Sequence, residues 1–309
     1  MTRIVFMGTP DIACGILHQL IQDNYEIVGV VTQPDKKAGR KQELKESEVK
    51  QMARKHHIEV FQPMHIKEDY EQILDWKPDL IVTCAYGQFI PSHILDFPKF
   101  GSINVHASLL PELRGGAPIH WAVIQGHKKT GMTIMRMVKQ MDAGAIMKQK
   151  EVEIAENDTM GDVYEKLKRC GAALIHESMK DILENNIECI EQNEAEATYA
   201  YNITKEQEHI DFTLNIQQVY DHIRGLIPFP IGYAMCDGKK IKFHRARMQR
   251  CAHSYAKGEI CGYMNGGYAI AVEGGYIIID EIQMEGKGKV DAKSFANGQG
   301  RSLIGKRFE

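Results

Sequence analysis

Through the first half of the chain, short apolar runs alternate with stretches whose apolar residues recur every three or four positions. Arg3 to Met7 reads as a buried strand, and Gly8 with Thr9 as a tight turn. Pro10 suits the first turn of a helix behind a Thr9 cap, and Ile12, Ile16, Leu17 and Leu20 follow at helical spacing. Further strands are predicted at Ile27 to Val31, Leu80 to Cys84, Ser102 to Val105 and Met132 to Met135. Helices fall between several of them, around Val49 to Lys55, Asp69 to Trp76 and Pro118 to Gln125. Such alternation implies an α/β domain with a mostly parallel sheet. A long helix is predicted from a Thr159 cap, with Asp162 three residues on and Val163, Leu167, Cys170 and Leu174 sharing one face.

From Asn185 the sequence turns polar and acidic, which predicts a first domain over residues 1–187, a linker over 188–204 and a second domain over 205–309. That second domain opens with a short helical pattern (Ile216, Val219, Tyr220, Ile223). Strands follow at Tyr233 to Cys236 and Ile241 to His244, joined by an Asp237-Gly238 turn. Gly258 to Tyr263, Tyr268 to Val272 and Tyr276 to Ile282 continue the run, and about five short strands predict a small β-barrel of the oligonucleotide-binding (OB-like) kind.

The 309 residues fit about two domains, and 43% apolar with 26% charged content excludes a disordered class. After residue 200 there are 15 Lys and Arg against 12 Asp and Glu, whereas the rest holds 23 against 29, a mild bias toward an anionic partner at the C-terminal end. Seven cysteines include no Cys-x-x-Cys pair and no histidine at zinc-finger spacing, so no metal is signalled and a reducing cytoplasm fits. The chain passes from Met1 straight into a strand pattern, and no apolar run approaches ~18 residues. A soluble cytoplasmic monomer without membrane contact is expected.

Gly8-Thr9-Pro10 has the look of a nucleotide-binding turn, but no G-x-G-x-x-G follows, and Gly8 is read as simply making the turn. Asn104 and His106 are more informative. Two apart on a predicted strand, they share one face at the carboxyl edge, where open α/β sheets place ligands. An Asn-x-His pair alone is more often structural. Here Arg114-Gly115-Gly116-Ala117-Pro118 forms a loop ahead of a helix, and Met141-Asp142-Ala143-Gly144 puts a carboxylate in a second turn able to approach the imidazole.

At this point the chain resembles the folate-dependent formyltransferases. The matching stretches are Val5 to Pro10, Thr32-Gln33-Pro34-Asp35 with Ala38-Gly39-Arg40, Ala85 to Gln88, Asn104-x-His106-x-Ser108 to Pro111, Arg114-Gly115, Ala117-Pro118-Ile119 and Met141-Asp142-x-Gly144. The resemblance implies a Rossmann-like formyltransferase domain and names Asn104, His106 and Asp142 as catalytic. It places Ser108, Leu109, Leu110 and Pro111, with Ala85, Tyr86, Gly87 and Gln88, around 10-formyltetrahydrofolate. No metal is required: amine attack on the formyl carbon needs charge stabilisation, which an amide and an imidazole supply.

Within that family the acceptor varies. Asn202 to Glu206, Ile210-Asp211-Phe212 and Ile223-Arg224-Gly225 through Pro230 look like the members that formylate methionyl initiator tRNA; a nucleotide-linked amino sugar, or hydrolysis of the formylfolate, is the alternative. Expected tRNA contacts are Lys36, Lys37, Arg40 and Lys41 in the Asp35 to Lys50 loop, and Lys240, Lys242, Arg245 and Arg247 on the hairpin of the second domain. The alternative for the hairpin is a strand edge protected by charge. Glu43, Glu46 and Glu48 depart from the family pattern in that loop and are expected to weaken phosphate contact, and the loop is expected to be mobile without RNA.

Overall fold

A computed structural model describes residues 2–38 and 42–309. The chain divides into two compact units that are not contiguous in sequence. The first comprises residues 1–118, 130–153 and 164–201, and the second residues 119–129, 154–163 and 202–309.

The first unit is built on a seven-stranded sheet. Its strands are β1 (Arg3–Gly8), β2 (Glu26–Val31), β5 (Val60–Phe61), β6 (Leu80–Cys84), β7 (Ser102–His106), β8 (Lys129–Arg136) and β9 (Ile146–Glu153), in the order β5-β2-β1-β6-β7-β8-β9. Strands β5 to β7 along that order are parallel, and β8 runs antiparallel to β7. A separate ribbon pairs β3 (Lys36–Ala38) with β4 (Glu43–Lys45). Helices α1 (Asp11–Gln22), α2 (Glu48–Lys55), α3 (Glu71–Asp75) and α4 (Ser92–Leu95) fill the crossovers, while α5 (Pro118–Ile124) and α6 (Met160–Leu183) come later in the chain.

Thr9 does not cap α1. Its hydroxyl donates to the Tyr86 carbonyl at 2.9 Å and accepts from the Gln33 amide at 3.3 Å, so it ties the loops after β1, β2 and β6 together. Gly8 is needed there for space, since a Cβ would lie 2.7 Å from that of Ala13 and 3.0 Å from the Cys84 carbonyl. The Thr159 cap forms as the sequence implies. Thr159 N donates to Asp162 Oδ2 at 2.8 Å, and Asp162 N returns a bond to Thr159 Oγ1 at 3.2 Å.

The second unit carries α7 (Ile216–Gly225), α8 (Ala292–Asn297) and strands β10 (Tyr233–Cys236), β11 (Lys239–Arg250), β12 (Ile260–Met264), β13 (Gly267–Val272), β14 (Gly275–Met284) and β15 (Val290–Asp291). The antiparallel order is β10-β11-β14-β13-β12, with β15 on β14. The last residues join the two edge strands: Ile260 N donates to the Lys306 carbonyl, Phe308 N to Gly258, and Glu309 N to Met235. The sheet thereby closes into a small barrel. Phe212, Phe243 and Phe308 meet inside it at centroid distances of 5.1–5.5 Å.

Candidate active site

Strand β7 delivers the first two groups. Neighbouring β6 places Thr83 opposite Asn104, and the Thr83 hydroxyl donates to Asn104 Oδ1 at 2.8 Å. With its oxygen engaged, the Asn104 amide keeps both Nδ2 hydrogens for another acceptor; Nδ2 has no protein partner among the described residues. His106 is only 6% exposed, and its Nε2 lies 3.1 Å from the Leu113 carbonyl. Because a carbonyl can only accept, this contact assigns a proton to Nε2 and turns Nδ1 toward Asp142, whose Oδ2 is 3.7 Å away.

Asp142 sits in the left-handed region with φ 50°, in the turn between β8 and β9. Gly144 makes that turn possible, because a Cβ there would fall 1.9 Å from the Arg136 carbonyl. Asp142 Oδ2 accepts from the Gly115 amide at 2.9 Å. Asp142's own carbonyl and that of Gly144 accept from Gln192 Nε2, at 2.8 and 2.7 Å. The segment expected as a linker is therefore ordered against the first unit as far as Tyr201: Ile190 pairs with Ile146, and Ala200 with Arg114 and Ala117. Its polar side chains made it read as solvent-exposed, yet several of its hydrogen bonds go to the loops around Asp142.

The stretches expected around the folate follow β6 and β7 at one sheet edge. Ala85 and Gly87 both have positive φ. Tyr86 is buried among Val5, Met7, Ile66 and Ile90, and burial pushes its phenol pKa up. Gln88 is occupied by the Ile66 amide and the Pro63 carbonyl. Ser108 is fully buried and donates to the Glu112 carbonyl, while Thr133 Oγ1 and Gln149 brace the carbonyls of Ser108 and Leu110. Leu110-Pro111 is a cis peptide. Ser108, Leu110, Tyr86 and Gln88 thus shape this edge while their side chains are buried or already bonded; Leu109 and Pro111 are half-buried.

The formyl transferase sequence profile matches residues 2–179, and that of the formyl transferase C-terminal domain matches residues 202–300. This chain belongs to the formyl transferase family. The methionyl-tRNA formyltransferases of Bacillus thuringiensis subsp. konkukian and Bacillus anthracis are each 47% identical to it over 302 residues, covering 96% of both chains. Among solved structures, an N-formyltransferase from Helicobacter canadensis in complex with folinic acid and dTDP-3-aminofucose superposes with a TM-score of 0.71. It is 19% identical and covers 90% of this chain and 99% of its own. HypX from Aquifex aeolicus in complex with tetrahydrofolic acid gives a TM-score of 0.66 at 15% identity, covering 98% of this chain and 48% of its own. At those identities the likeness is one of fold.

Of the basic residues singled out in this formyl transferase, Lys36 and Lys37 are exposed on β3, while Arg40 and Lys41 lie outside the described residues. The loop's acidic residues are largely spoken for. Glu46 accepts from Arg54 at 2.5 Å and pairs with Lys50 at 3.4 Å, Glu48 accepts from Lys45 at 2.8 Å, and Asp35 accepts from Lys50 at 2.6 Å. On β11 the register shifts between Phe243 and Ala246. Ile241 and Phe243 point inward before this bulge and Ala246 and Met248 after it, so Lys240 and Lys242 share the outer face with Arg245 and Arg247. Lys240 stacks on Tyr233 at 3.8 Å, whereas Arg245 and Arg247 both face Asp280, at 3.7 and 3.3 Å.

Proposed function

We propose that this formyl transferase moves the formyl group of 10-formyltetrahydrofolate onto the amino group of methionine carried by initiator tRNA. The observation that carries this reading is 47% identity, over 96% of both chains, to methionyl-tRNA formyltransferases. Residues 1–187 would hold the chemistry and 205–309 the RNA, joined through 188–204.

In this account the methionyl amine attacks the formyl carbon, and the new C–N bond forms as charge gathers on the formyl oxygen. The free Nδ2 of Asn104 donates to that oxygen. His106, held by Leu113 through Nε2, takes the amine's proton at Nδ1, and the Asp142 carboxylate facing Nδ1 stabilises the resulting imidazolium. The tetrahedral centre then collapses, the bond to folate N10 breaks, and N10 takes the proton held on His106 as tetrahydrofolate leaves, which returns the imidazole to its neutral form. Ser108 to Pro111 and Ala85 to Gln88 would border the folate. Lys36, Lys37, Arg40, Lys41, Lys240, Lys242, Arg245 and Arg247 would meet tRNA phosphates, in a monomer acting in the cytoplasm.

The test is an acceptor panel with 10-formyltetrahydrofolate as donor. Charged initiator tRNA should be formylated and a dTDP-linked amino sugar should not; the reverse preference would replace tRNA by the sugar.

A further inference from the structure

Asp142 has no regular secondary structure to hold it, and its side chain makes one bond to the backbone, from Gly115. What fixes the turn comes from fifty residues downstream. Gln192 Nε2 donates to the carbonyls of Asp142 and Gly144 together, using both of its hydrogens. Its Oε1 accepts from Arg114 Nε at 3.0 Å and Nη2 at 2.8 Å, and these bonds fix which way the amide faces. Arg114 is fully buried, and two of its three remaining hydrogens go to Glu194 Oε1 and Oε2 at 2.8 and 3.0 Å. Arg114 is also the residue before Gly115, the Asp142 donor, and follows Leu113, the His106 acceptor. One side chain therefore joins the Asp142 turn to the loop that orients His106.

We infer that Gln192 is a positioning residue of the formyl-transfer site, holding Asp142 toward His106 through the Glu194–Arg114–Gln192 relay. This rests on the reading above that Asp142 is catalytic. Gln192 touches no reacting atom, so it acts on where the carboxylate lies. A displacement of about 1 Å in such a group is worth up to about a hundredfold in rate.

Two replacements isolate the role in the full chain. Gln192→Glu keeps the shape and the acceptor for Arg114 but sets oxygen against the two carbonyls, and Gln192→Met keeps the volume without either function. Asp142→Asn is measured beside them. The expected result is a fall in kcat per folded enzyme of about tenfold or more for both Gln192 variants, measured below each variant's thermal midpoint, with KM for formylfolate and for charged tRNA within about twofold. The pH–rate profile of these variants should be displaced from that of the parent. Wild-type kcat in both Gln192 variants beside an impaired Asp142→Asn would overturn the inference and leave Asp142 in place. So would losses of kcat that merely follow a loss of folded protein. Wild-type kcat in Asp142→Asn would overturn the catalytic reading of Asp142, and the inference with it.

Discussion

At the scale of single residues, Asn104 has one engaged atom and one free one, and that asymmetry is what a charge-stabilising donor needs. Asn104→Ala removes the donor and is expected to lower kcat by about a hundredfold, roughly 3 kcal/mol, with little change in folate KM; kcat within a few-fold of the parent would take Asn104 out of the mechanism. Thr83→Val should cost less, because the amide persists but loses the bond that orients it. The placement of Asn104 and His106 on one strand, with Asp142 in a turn facing His106, was legible in the sequence from a strand's period of two and two glycine-bearing turns. Thr83, Leu113, Gly115 and Gln192 were not. Two of them act through backbone atoms that any residue carries, and Gln192 sits in a polar run that reads as solvent-exposed.

Among the elements, the parallel strands with continuous apolar runs were legible, as was α6 with its capping box. Thr159→Ala should lower stability by about 1 kcal/mol, read as a lower thermal midpoint with unchanged kcat, since Thr159 lies outside the catalytic groups; no change in midpoint would mean that the other caps suffice. Strand β9 was missed because its run, Met147 to Glu153, is largely polar on its exposed face, and β5 because two residues give no periodicity. The Asp35 to Lys50 segment holds a ribbon, and Asp35, Glu46 and Glu48 on either side of it pair with Lys50, Arg54 and Lys45. Ion pairing across a turn leaves no periodic trace. The same applies to the β11 bulge, which keeps basic residues on one face by inserting a residue that the alternating pattern cannot announce.

For the molecule as a whole, two consequences belong to the second unit. Asp280 offsets Arg245 and Arg247, so Asp280→Asn should tighten tRNA binding and steepen the dependence of log affinity on log salt by about one; an unchanged slope would place the RNA elsewhere. Burial holds the imidazoles of His222 and His120 below their ordinary range, opposed by bonds to the Gln207 and Phe229 carbonyls. With folded values depressed, the unfolded chain takes up more protons, so stability is complete above the unfolded value of about 6.5 and declines as pH falls through it toward the folded value. Replacing His222 by Gln should flatten the decline in thermal midpoint between about pH 7 and 5, and an equally steep decline would assign it to other groups. The division into units was only half legible, because residues 119–129 and 154–163 cluster with the C-terminal unit although they lie within the N-terminal stretch of sequence. Sequence runs show where composition changes, whereas compactness depends on contacts formed across the chain. The most direct test follows formyl label from 10-formyltetrahydrofolate in the presence of methionine-charged initiator tRNA, charged elongator tRNA and no RNA. Label on the initiator alone, slowed about a hundredfold in Asn104→Ala, is the predicted result; label released as formate regardless of RNA would contradict the account.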